Sequence, residues 1–137
     1  MALSIEQKTV LWDALMSGFR KEATGCKADA LLELIQQHRG GILFTDIQDL
    51  PGAKGDHTLE ASPNTILWTG LSRFMVAAII RLRDERRIRY VPVHPMLYAA
   101  AGAMPDLPIA TSPAAIRRGH REPTWLPCSI EGPGSVQ

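Results

Sequence analysis

Residues 72–100 read SRFMVAAIIRLRDERRIRYVPVHPMLYAA, and the period of the apolar positions changes part-way along. At about 100° per residue, Leu71, Met75, Ala78, Ile79 and Leu82 fall on one side of a helix. The spacing predicts an amphipathic helix over 73–87 with Ser72 as its N-cap. The opposite side carries Arg73, Val76, Ala77, Ile80, Asp84 and Arg87, flanked by Arg81 and Arg83. Beyond Arg87 the pattern becomes that of strands. Ile88–Val91 and Met96–Ala99, joined through Pro92-Val93-His94-Pro95, read as a hairpin. Its prolines remove ladder donors, so it belongs at a sheet edge or projects outward.

Upstream, Ser4 with Gln7 fits a capping box opening a helix to about Ala23. Leu11, Leu15 and Phe19 form its apolar stripe, widened by Trp12 and Met16, and Gly25 is the expected stop. A second helix, 27–39, has Ala28, Leu31, Leu32 and Ile35 on one face and ends at Gly40-Gly41. Ile42–Phe44 reads as a short buried strand. Thr45 with Gln48 suggests a second capping box on a two-turn helix that Pro51-Gly52 closes. Residues 52–65, GAKGDHTLEASPNT, read as a polar loop, and Leu67-Trp68 as an apolar anchor of unassigned local state. Downstream, six of the ten prolines lie beyond Gly102, so 102–137 reads as an extended arm rather than a second core. A short helix is expected after Ser112-Pro113 and a strand near Trp125–Ile130, with Trp125 seated in an apolar groove of the body or of a partner subunit.

A chain of 137 residues is one domain, or one domain with an arm. Its 45% hydrophobic and 21% charged residues exclude disorder throughout. No apolar run approaches the roughly 18 residues of a membrane span. The opening MALSIEQKT lacks the features of a secretory signal. Two cysteines, Cys26 and Cys128, make no disulfide framework and suggest free thiols in the cytoplasm. The net charge of +1 divides unevenly: residues 1–70 hold 6 basic and 9 acidic side chains, residues 71–137 hold 9 arginines and 5 acids. The second half therefore suits a polyanion or acidic protein, or simply a solvated surface. Nucleotide loops and nucleophile elbows are not found, and no catalytic residue, cofactor or metal is expected. Asp46, Asp49, Asp56 and His57 lie close in sequence but match no ligand spacing. His38 reads as a helix C-terminal capping residue.

The order helix, short strand, short helix, long helix and two strands resembles the winged helix-turn-helix superfamily. Ala28–Gln37, Ile42–Phe44, Thr45–Leu50, Ser72–Arg87 and Ile88–Ala100 carry the resemblance. It implies an α+β, mostly helical fold: an extra N-terminal helix (1–25), a winged-helix domain (26–101) and a Pro-rich arm (102–137). The link between second and third helices, about 20 residues, departs from the three or four usual in a helix-turn-helix. The resemblance implies double-stranded DNA as partner and a regulatory role, and the wide apolar arc of the N-terminal helix (Val10, Leu11, Trp12, Leu15, Met16, Phe19) predicts a homodimer built partly from that helix. Ser72, Arg73, Arg81, Arg83, Arg87 and Arg89 would make the contacts, with His94 at the wing tip and Arg117 and Arg118 from the arm. Val76 and Ile80 offer a base edge only apolar contact. A second expectation is therefore a protein-interaction module using Trp12, Phe19, Val76, Ile80 and Trp125.

Overall fold

The computed structural model of the protein describes residues 24–38 and 41–133. Helix α1 covers 24–37. Gly25, expected as the stop of the preceding helix, lies inside α1, and the helix expected from Ser4 to about Ala23 lies outside the described residues. Ala28, Leu31 and Ile35 are its buried positions, as the spacing predicts. His38 closes the helix, its Nδ1 lying 3.0 Å from the Leu34 carbonyl. The expected strand Ile42–Phe44 shrinks to one bridge, Ile42 to Ile130. Helix α2 is Phe44–Gln48. Its cap is not Thr45: the Leu43 N–H donates to the Asp46 carboxylate at 2.9 Å, while Gln48 donates to the Gly70 carbonyl at 3.0 Å.

The expected polar loop is a strand. β1, Lys54–Ser62, and β2, Thr65–Leu71, form an antiparallel hairpin turned at Pro63-Asn64, with Asn64 at φ 57°. β1 is an edge strand on which Leu59 is the buried residue, so no apolar alternation marks it in the sequence. β2 lies at the centre and buries Thr65, Leu67, Trp68 and Leu71. Gly55 is required where β1 crosses the end of β2. A Cβ there would stand 2.7 Å from the Leu71 carbonyl oxygen and 2.7 Å from Ser72 Cα. This close pass delivers the chain into α3, Arg73–Asp84.

β3, Arg89–Pro92, forms where a strand is expected, but its partner differs. Met96–Ala100 is helix α4, not the returning strand of a hairpin. Pro95 opens it, and the His94 Nδ1 accepts the Met96 N–H at 3.1 Å, which starts a helical turn. The strand facing β3 is β5, Cys128–Glu131, antiparallel, with Ile42 on the far side of β5. β4, Thr124–Trp125, pairs parallel to β2. Helix α5, Pro113–Arg118, follows Ser112, whose side chain accepts the Ala115 N–H.

The C-terminal stretch is therefore built into the body, and one hydrophobic cluster runs from Ala28 to Ile130. At its centre Trp68 stacks on Phe44 (centroids 6.0 Å apart) and on Tyr98 (4.9 Å), and Trp125 stands edge-on to Tyr98 at 5.4 Å. Trp125, expected against the body or at a partner interface, is fully buried in the core of the body, so it is not an interface residue. The Tyr98 hydroxyl donates to the Cys128 carbonyl and accepts the Phe44 N–H at 3.2 Å. The fold is α+β, with more helix than strand among the described residues.

Candidate nucleic-acid interface

α3 carries Arg73, Val76, Ile80, Arg81 and Arg83 of the expected contact residues. Ser72 caps it as expected, its hydroxyl accepting the Met75 N–H at 3.2 Å. Met75, Ala78, Ile79 and Leu82 are buried without exception, so the face assignment from periodicity holds. The opposite face is open: Arg73 and Ala77 are exposed, Val76 is partly covered, and Ile80 is 44% exposed. Arg73 lies against the ring of Phe74, its guanidinium carbon 5.0 Å from the centroid.

The helix ends at Asp84, three residues earlier than predicted. The Arg86 N–H donates to the Arg83 carbonyl and the Arg87 N–H to the Leu82 carbonyl, 3.0 and 2.9 Å. Those two bonds close a Schellman motif, which needs one residue in the left-handed region. Arg86 is that residue, at φ 59°. The turn throws Arg87 and Arg89 off the helix axis and onto the start of β3.

Arg81, Arg83, Arg86, Arg87 and Arg89 are all exposed around this junction. Their electrostatics are only partly compensated. Glu85 lies 3.2 Å from Arg81 and 3.7 Å from Arg87, and Glu131 pairs with Arg89 at 2.8 Å. Arg83 stacks over Tyr90, 5.0 Å from the ring centroid. Burial pushes the Tyr90 hydroxyl up to about 12, so the phenol stays protonated at neutral pH and remains a donor. Arg83, Asp84, Arg86, Ile88, Arg89 and Tyr90 line a groove of about 670 Å³.

The other expected contact residues are elsewhere. Ser72 and Arg73 sit at the opposite end of α3, about 18 Å away for a 12-residue helix. His94 is exposed but precedes α4, where its ring accepts the Met96 N–H, instead of tipping a hairpin. Arg117 and Arg118 are exposed on α5, which packs near the turn of the β1–β2 hairpin: the His120 N–H donates to the Pro63 carbonyl at 2.8 Å. There the Asn64 amide donates to the carbonyls of His120 and Arg121, and Thr65 meets the His120 ring at 2.7 Å. With Thr65 fully buried, this polar chain reads as a clasp, not a reactive dyad. Trp12 and Phe19 lie outside the described residues.

Arg86, expected with Arg87 and Arg89 at the junction of the long helix and the wing, stands there in the structure. Its signal lies in the run RLRDERRIR (81–89), where five arginines surround a helix end. Of the early acids, Asp46 caps α2 and Asp56 pairs with His57 at 3.0 Å. Among the described residues no three His, Cys, Asp or Glu side chains are grouped to hold a metal ion, and no helix is long and apolar enough to cross a membrane. Cys26 is exposed and Cys128 buried, both free. Comparison with protein-family models, curated proteins and solved structures finds no match for this chain.

Proposed function

We propose that this protein is a non-enzymatic double-stranded DNA-binding protein with a regulatory role and a winged-helix layout. The observation that carries the proposal is the arginine surface at the α3–β3 junction, where five exposed cations meet Asp84, Glu85 and Glu131. Phosphate binding needs only cations and donors on a reachable face. The order of elements supports the same view. α1, the Ile42 bridge, α2, α3, β3 and β5 run in the superfamily's sequence of helix, strand, helix, helix, strand, strand. Here Cys128–Glu131 takes the part of the last strand, and residues 93–127 take the place of the wing loop. The β1–β2 hairpin stands where the family has a tight turn, so α2 and α3 are separated.

A mobility-shift titration on random duplex at two salt concentrations tests this. The unmodified protein should lose affinity steeply with salt, because bound cations release counterions. Changing Arg83 and Arg87 together to Gln should weaken binding about tenfold and flatten the salt slope by about 0.9 per lost phosphate contact. Equal affinity and slope for the variant would remove the site. A protein-interaction module is favoured instead by exposed apolar side chains: Ile80 on α3, and Met96, Leu97 and Met104 at 50–62% exposure. Binding through those would respond little to salt.

A further inference from the structure

Position 86 is the C′ position of the α3 cap, where the backbone turns left-handed at φ 59°. Glycine is the residue this geometry favours, because a Cβ meets the neighbouring carbonyl oxygen there. The sequence places arginine in it. Compensation of the helix dipole accounts for cations in the last turn, Arg81 and Arg83. It does not account for a strained residue beyond the cap, whose backbone N–H already satisfies a carbonyl. Arg86 is exposed and has no acidic partner within ion-pair distance among the described residues. It lines the groove between Arg83 and Arg89, whose guanidinium groups are both held: Arg83 on Tyr90, Arg89 on Glu131.

We propose that this groove is a binding site for a phosphate group, with Arg86 its central ligand. The inference deepens the DNA-binding proposal and rests on it for the source of the phosphate. Arg83 and Arg89, fixed by their own partners, present donors at little further entropic cost, and Arg86 supplies the uncommitted guanidinium. Asp84 also lines the groove but is outnumbered by its three arginines, so the groove stays attractive to an anion. A phosphodiester backbone and a free polyphosphate both carry the group it would bind.

Two readouts on Arg86→Gly and Arg86→Lys separate the cases. Relief of the backbone should raise the melting temperature of Arg86→Gly by roughly 4 °C. Its affinity for random duplex should fall about tenfold, with a salt slope smaller by about 0.9. Arg86→Lys keeps the charge and the strain, so its melting temperature should stay put and its duplex affinity should remain within a few-fold. Thermal stabilisation by inorganic pyrophosphate, against chloride at matched ionic strength, should be present in the parent and lost in Arg86→Gly. Pyrophosphate stabilisation that depends on Arg86, in a protein that does not bind duplex, keeps the phosphate site and sinks the DNA source. Duplex binding and pyrophosphate stabilisation both unchanged in Arg86→Gly would overturn the phosphate site. So would a parent protein that responds to neither probe.

Discussion

Replacing Tyr98 by Phe tests how the long segment after β3 is held to the body. Pro92, which pairs with Cys128 in the β3–β5 ladder, has no N–H to give the Cys128 carbonyl. The Tyr98 hydroxyl donates to that carbonyl instead. The same hydroxyl accepts the Phe44 N–H, one of the donors that the start of α2 leaves without an intrahelical partner. Tyr98→Phe keeps the ring and its stacking on Trp68, so no large cavity opens. Each lost hydrogen bond is worth about 0.5–1.5 kcal/mol, more where a buried group is left unpaired. With two groups affected, stability should drop by about 2–3 kcal/mol, which for a chain of this size lowers the melting temperature by roughly 10 °C. Urea titration followed by tryptophan fluorescence measures this directly, and the slope should stay unchanged because the same surface is exposed on unfolding. A loss below about 0.5 kcal/mol would refute the reasoning: the two backbone groups would then have other partners.

Truncation after Pro113 removes Trp125, Leu126, Cys128 and Ile130 from the core and both strands that pair with β2 and β3. The shortened chain should therefore lose cooperative thermal unfolding altogether, and retention of a sharp transition in circular dichroism would contradict the fold. Stability should also decline in alkali. Burial raises the Cys128 thiol from 9.0 to about 12, raises Tyr90 from 10.0 to about 12, and pushes Tyr98 up as well. Each group is held neutral by the fold, so its contribution is complete below its unfolded value and is lost as pH climbs toward the folded one. Urea midpoints should be flat near neutrality and fall from about pH 9, and Cys128→Ala should delay the onset to about pH 10. An onset unmoved by that substitution would assign the effect elsewhere.

What was legible in the sequence is what local periodicity controls. α3, its cap and its core face follow from Ser72 and the spacing Met75, Ala78, Ile79, Leu82. The short helix after Ser112-Pro113 follows from its cap, while the single strand expected near Trp125–Ile130 divides at Leu126-Pro127 into β4 and β5, which join different sheets. The misreadings have non-local causes. β1 is an edge strand with a single buried residue, so its polar composition imitates a loop, and only the Pro63-Asn64 turn before the β-rich Thr65–Thr69 hints at a hairpin. Met96–Ala100 has the apolar character of a strand, but Tyr98 must point inward to meet Trp68 and Cys128, and a helical turn opened by Pro95 brings it there. β5 lies 36 residues beyond the end of β3, too far for any local pattern to announce their pairing.

The same division applies to the candidate site. The arginine run at 81–89 is visible in one dimension, but the early end of α3 and the left-handed turn at Arg86 decide which of those arginines face a common groove. That geometry also bears on how DNA would be read. The outward face of α3 offers Val76, Ala77 and Ile80 between Arg73 and the distal arginines. Val76, Ala77 and Ile80 can touch a thymine methyl but make no bidentate hydrogen bond to a base edge, which leaves Arg73 to make one from that face. The other cations lie at the far end of the helix, and phosphate contacts fix register without carrying sequence information. Binding weighted in this way draws its affinity from counterion release. The protein should then discriminate weakly among duplex sequences and strongly among salt concentrations. Sequence preference beyond what Arg73 can read would then have to come from DNA shape or from the spacing of two copies, because the apolar centre of α3 supplies little of it.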